Sequence, residues 1–223
     1  MQLRKGKKLF IYLFLFILLG SINNISLNEI QFDKIETINV SGLNENNNQK
    51  VLADIKKLNL ENIFFINKNE INRVLNSNTV IEDYEVFKKY PSTLDVKLKE
   101  TNFLAKINLD SQLFYIGSNG KLTKSFFLVQ DLPYIFGNPD INEFLIFKNI
   151  LDSSKISYEN IKSLLFFQIK RWDIELKNNT LIKLPKNNVS KALNNAYLFL
   201  DEKNNNSIKI IDARVENQII INE

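Results

Sequence analysis

Apolar residues in this 223-residue chain follow three different patterns. From Leu9 to Leu19 every position is aliphatic or aromatic. Beyond about residue 33 the apolar positions become periodic, first in a short block of mixed periods and then in a longer, strand-rich block. In the first block Ile38 and Val40 alternate with polar neighbours and stop at Ser41-Gly42, which predicts a short strand. The Asn-rich stretch 44–48 predicts a loop able to cap a helix. Val51, Leu52, Ile55 and Leu58 follow at helical spacing. A second helix is expected from about Asn67, where Glu70 stands in capping-box position and Ile71, Val74 and Leu75 form the apolar face. Tyr84, Val86 and Tyr90 then alternate up to Pro91. Leu94, Val96 and Leu98 alternate with Asp95, Lys97 and Lys99, the pattern of a strand with one dry face. This block therefore reads β-α-α-β-β.

The second block predicts strands at 112–116 and 121–123 around a two-residue Asn119-Gly120 turn. Leu132, Pro133, Gly137 and Pro139 mark a loop, and Phe144, Phe147 and Leu151 a helix. Strands are expected at 164–169, 172–176 and 180–184, with a turn at Asn178-Asn179, where positive φ is tolerated. Val189, Ala192, Leu193, Ala196, Tyr197 and Leu200 line one helix face, and strands at 208–211 and 218–221 close the chain. No period of 20–50 residues repeats.

Charge changes the reading of the first apolar run. The chain carries 29 Lys+Arg against 25 Asp+Glu, and Arg4, Lys5, Lys7 and Lys8 account for the whole excess. The pI of 9.0 therefore reports a basic stub ahead of an apolar run and says nothing of nucleic acid. Such a stub stays on the cytoplasmic side of a membrane. Residues 9–19 make about 16 Å of helix, the length of a signal-peptide core, whereas extension through Gly20, Ser21, Ile22 and Ile25 to Leu27 gives about 28 Å. Cleavage after Gly20 or Ser21 would put Leu18 or Leu19 at −3, where small residues are favoured. An uncleaved anchor at 9–27 is the reading adopted, with a cleaved signal as the alternative.

The chain has neither cysteine nor histidine. Disulfides, the usual zinc, copper and haem ligands, a thiol nucleophile and a Ser-His-Asp triad are excluded. The six glycines form no phosphate-cradling loop. No cofactor, metal or small-molecule substrate is expected. Glu82, Asp83 and Glu85 could supply paired acids for glycosidic cleavage, against the plainer reading of a solvated strand face. Lys88 and Lys89 are either contacts to an anionic lipid or glycan, or charges guarding a sheet edge. Trp172 is a core anchor or a stacking platform. The run Ile219-Ile220-Ile221 is a strand buried on both faces or an edge that receives another chain's strand.

These residues resemble the FtsQ/DivIB cell-division family. Its POTRA domain is matched by Ile35-x-x-Ile38-x-Val40-x-Gly42, by Asn62-Ile63-Phe64-Phe65-Ile66 with Ile71, Leu75 and Val80, and by Val86-x-Lys88-x-Tyr90-Pro91-x-x-Leu94-x-Val96-x-Leu98-x-Glu100. Its β domain is similar to Leu132-Pro133 with Gly137, Arg171-Trp172-x-Ile174-x-Leu176, Leu184-Pro185 and Ile211-Asp212-x-Arg214. Phe103 and Asn179 stand where the family often has Pro and Gly, and Lys88 where it commonly has Arg.

The resemblance implies an α+β chain with a cytoplasmic stub at 1–8, a transmembrane anchor at 9–27, a POTRA domain at 33–101 and a mainly antiparallel β domain with flanking helices at 102–223. It implies a non-enzymatic, single-pass inner-membrane scaffold of the division machinery, its bulk periplasmic, at the division site and binding FtsB/FtsL-type partners. The implied contacts are Arg214, Val215, Gln218, Ile219, Ile220 and Ile221 by strand addition, and Tyr84, Val86 and Lys88 on the POTRA strand. A POTRA-type chaperone for outer-membrane or secreted chains is the alternative, and a peptidoglycan hydrolase the enzymatic competitor.

Overall fold

The structure, a computed structural model, describes residues 3–22, 34–124, 131–201, 208–216 and 218–222. Its first element, α1 (Leu3–Ile22), contains the whole apolar run 9–19. No described helix is long and apolar enough to cross a membrane. Residues 23–27 of the expected anchor lie outside the described residues.

The first domain runs β1 (Thr37–Ser41), α2 (Glu45–Lys56), α3 (Lys68–Ser77), β2 (Ile81–Lys89), β3 (Thr93–Glu100), as the periodicity predicts. Most of the Asn-rich stretch is helix rather than loop. Asn44 alone is the cap, its side chain accepting from the Asn47 amide at 3.0 Å. Asn67 caps α3 in the same way and also donates to Glu70 Oε1 at 3.0 Å. The sheet order is β1-β3-β2, with β1 parallel and β2 antiparallel to β3. The central strand buries Leu94, Val96 and Leu98 against Val51, Ile55, Ile71 and Leu75 of the two helices. Gly42 ends β1 at φ +112, and a Cβ there would stand 1.8 Å from the Leu98 carbonyl oxygen, so only glycine lets β1 close on β3.

The second domain is built on β4 (Phe103–Leu109), β5 (Gln112–Gly117), β6 (Leu122–Lys124), β7 (Tyr134–Phe136), α4 (Ile141–Asp152), β8 (Ile161–Phe167), β9 (Arg171–Leu176), β10 (Leu181–Lys183), α5 (Val189–Asp201), β11 (Ile210–Asp212) and β12 (Ile220–Asn222). These strands form one nine-stranded sheet ordered β12-β11-β10-β9-β8-β7-β4-β5-β6. The sheet is mixed: five neighbouring pairs are antiparallel, and β4–β7, β7–β8 and β10–β11 are parallel.

Two local readings are corrected, and one open alternative is decided. The stretch read as a loop between Pro133 and Gly137 contains β7, a strand in the sheet interior, with Ile135 fully buried. β4, which shows no clean alternation, is its neighbour. The Asn119-Gly120 turn has three residues rather than two, because the Gly117 amide donates to the Lys121 carbonyl at 3.0 Å. Trp172 is a core residue. It stacks on Phe147 at 4.7 Å and 3° between planes and meets Phe166 at 4.8 Å.

A polar seam joins the domains. Glu82 Oε2 accepts from Thr101 Oγ1 at 2.8 Å and Ser118 Oγ at 2.7 Å. Asn119 Nδ2 donates to the Thr79 and Ile81 carbonyls at 2.9 Å each, and Lys121 Nζ to the Asn76 carbonyl at 2.7 Å. Glu82 is therefore an inter-domain acceptor and not part of a solvated acidic face.

Candidate functional site

The two sets of candidate residues fall on or next to the outer strands of two different sheets. β12 is the edge of the nine-stranded sheet and among the described residues pairs only with β11, in the register Ile210↔Asn222, Ile211↔Ile221, Asp212↔Ile220. Paired residues share a face, so Ile221 stands beside the fully buried Ile211, and Ile219, two residues earlier, packs on the core. Ile220 points the other way and is 59 % exposed. Ile221 is itself 37 % exposed, so only Ile219 of the run is partly buried and β12 is presented along its length. It is a sheet edge rather than a strand buried on both faces.

Arg214, Val215, Gln218 and Ile219 line a cleft of about 320 Å³ between the β11–β12 turn and α5. Its opposite wall is Pro185, Asn188, Lys191 and Asn195. Lys191 and Glu216 face each other at 3.9 Å. Arg214 is fixed by Asp212, its Nε donating to Oδ1 at 2.8 Å and Oδ2 at 3.0 Å. The guanidinium holds the Asp212 carboxyl below the usual carboxylate range, and Asp212 in turn raises Arg214. Ile220 and Ile221 lie on the strand beside this cleft and do not line it. The wall contributed by α5 was not legible as a site in the sequence, where its residues read only as the polar side of an amphipathic helix.

Tyr84, Val86 and Lys88 share one face of β2, opposite Leu98, Val96 and Leu94 of β3. β2 is an edge of its sheet. The three residues and α3, through Lys68, Ile71 and Asn72, enclose a cleft of about 260 Å³. Lys88 Nζ donates to the Phe64 carbonyl at 3.4 Å, and Lys89 pairs with Asp95, which lies below the usual carboxylate range. Lys89 and Asn39 both hydrogen-bond that carboxylate. The structure brings each set together but keeps the two in separate domains. Among the described residues no group of three or more Asp or Glu could hold a metal ion.

What both places offer is a strand edge beside a cleft of mixed polar and apolar lining that includes cations, which suits capture of an extended peptide. A β-α-α-β-β unit with this topology, seamed to a β domain, defines a POTRA-bearing protein. The model of the POTRA domain, FtsQ-type, matches residues 33–101. The cell division protein FtsQ of Rickettsia bellii (strain RML369-C) is 26 % identical over 205 residues, covering 84 % of this chain and 72 % of that one. The cell division protein DivIB of Clostridium botulinum (strain Loch Maree / Type A3) is 31 % identical over 120 residues, covering 53 % of this chain and 46 % of its own. The solved extracytoplasmic domain of DivIB from Geobacillus stearothermophilus aligns at 12 % identity with a TM-score of 0.33, over 42 % of this chain and 85 % of that one. Residues 33–101 thus carry an FtsQ-type POTRA domain, and the chain is similar to cell division proteins FtsQ and DivIB.

Proposed function

We propose that this chain is a non-enzymatic scaffold of the bacterial division machinery that captures an FtsB/FtsL-type partner as an added strand on β12. The observation that carries the reading is the exposed isoleucine edge beside the Arg214 cleft, in a chain whose relatives are cell division proteins. Backbone pairing along β12 supplies affinity, and Ile220, Val215 and Gln218 supply selectivity through alternate side-chain positions. Arg214 and Lys191 favour an acidic residue at the cleft. Tyr84, Val86 and Lys88 form a second contact surface for another division protein.

In this reading residues 1–8 remain cytoplasmic and 9–27 anchor the chain in the inner membrane. POTRA 33–101 and β domain 102–223 stand on the periplasmic side at the division site. The basic residues ahead of the apolar run support this orientation.

Ile220→Pro tests the proposal. Proline removes one amide donor and fixes φ on a strand whose loss leaves the core strands in place. The expected outcome is loss of partner pull-down with wild-type circular dichroism. Undiminished binding by the folded variant would reject strand addition at β12.

A further inference from the structure

One pole of the POTRA domain presents aromatic rings where a soluble fold would bury or omit them. Phe65 is 74 %, Tyr90 62 % and Phe64 49 % exposed, and the Phe64 and Tyr90 rings lie 5.0 Å apart. The rings are held in place. Ile63 is fully buried and roots the loop, while Asn62 Oδ1 accepts from the Phe64 and Phe65 amides at 3.1 Å each. A loop that sends one apolar residue inward and the next two outward, with its turn pinned, is built to display them.

The position of this pole says what covers it. Lys34, the first described residue after α1, forms an antiparallel bridge with Asn62, next to the displayed rings. Ile35 donates to the Glu61 carbonyl at 3.2 Å and Glu36 to that of Ser92 at 3.0 Å, so the chain enters the domain between the two aromatic loops. The eleven residues between Ile22 and Lys34 span at most ~40 Å when fully extended. The rings are therefore tethered within that reach of the end of the apolar helix. The charges around them are Lys34, Lys88 and Lys89 against Glu36 and Glu61, with Lys89 neutralised by Asp95. Near-balanced charge leaves apolar insertion as the attraction, and the lysine stems can lie along the lipid boundary with their ammonium groups in water.

We infer that Phe64, Phe65 and Tyr90 insert into the headgroup boundary of the same bilayer that holds α1, docking the POTRA domain on the membrane. Tyrosine and phenylalanine at such a boundary place an apolar body in lipid and, for Tyr90, a hydroxyl in water. This rests on the proposed anchoring of α1.

The chain has no cysteine, so single-cysteine labelling tests it directly. Full-length Phe65→Cys, Leu13→Cys and Ile169→Cys are labelled with a polarity-sensitive fluorophore. They are then reconstituted into phosphatidylethanolamine–phosphatidylglycerol vesicles with and without doxyl-labelled lipid. Ile169 is 60 % exposed on the β8–β9 turn and is the aqueous reference. The expected result is a several-fold loss of emission at positions 13 and 65 and none at 169, unchanged by salt, with wild-type circular dichroism. Quenching at 13 but not at 65 overturns the inference and leaves the anchor intact. Protection of position 65 from aqueous iodide without lipid quenching overturns it too, because protein and not lipid then covers the rings. An unquenched 13 rejects the anchor, and position 65 still decides whether the pole meets lipid.

Discussion

Val96 shows what one position can decide. It sits at the centre of β3, opposite Val86 of β2 and Val40 of β1, and is 1 % exposed. Val96→Asp places a carboxylate among Ile55, Ile71 and Leu75 with no partner, at a cost of roughly several kcal/mol. That is enough to unfold a small domain of ordinary stability. Thermal unfolding followed by circular dichroism should show a reduced amplitude from a POTRA domain already unfolded, with the β domain still melting cooperatively. Asp212 gives a pH signature instead. Hydrogen bonds from Arg214 lower its folded-state pKa below the unfolded value of ~3.9. The stabilisation is fully present above that unfolded value and is lost as pH falls through the folded one. Urea unfolding of Asp212→Asn across pH should find the variant less stable at neutrality, with the gap to wild type closing under acid. Asp173 contributes with the opposite sign. Burial is the largest influence and raises its pKa against the Leu184 amide and Arg171, so its ionisation costs stability and the cost is relieved as pH falls.

At the scale of elements, the legible parts were those with a period. Alternation at Leu94, Val96 and Leu98 identified β3 and its buried face. Helical spacing identified α2, α3, α4 and α5. The isoleucine run at β12 left two readings open that only its neighbours could separate. β7 had no period to read: it is three residues long between Pro133 and Gly137, the punctuation of a loop. It is nonetheless hydrogen-bonded in parallel to β4 on one side and β8 on the other. Its one buried residue, Ile135, stands between the partly exposed Tyr134 and the 52 % exposed Phe136, too short a stretch to show a period. Glu82 misled for a different reason, since its partners Thr101 and Ser118 are distant in sequence and its neighbours Asp83 and Glu85 look like a solvated run. The weight of β7 can be measured. Ile135→Ala leaves a cavity in the sheet interior and should cost ~2–5 kcal/mol, read as a lower urea midpoint with an unchanged slope.

Across the whole molecule, the seam at Asn119 decides whether the two domains behave as one body. Its amide satisfies the Thr79 and Ile81 carbonyls, and its own carbonyl accepts from the Lys121 amide at 3.0 Å. Asn119→Ala leaves those acceptors without a donor, at roughly 1–3 kcal/mol, while both hydrophobic cores remain whole. Calorimetry should resolve two transitions in place of one, the POTRA domain melting apart from the β domain.

The same seam lies at the β5–β6 turn, at one end of the nine-stranded sheet, and β12 closes the other end. Eight strand spacings of ~4.8 Å put those ends roughly 38 Å apart along the sheet. The sheet is therefore a ruler. Its zero is fixed to the POTRA domain, and its far mark is the β12 edge, where the proposed guest strand would add. Adding or deleting a strand between β6 and β12 would move that mark by one division without altering a single contact at either end.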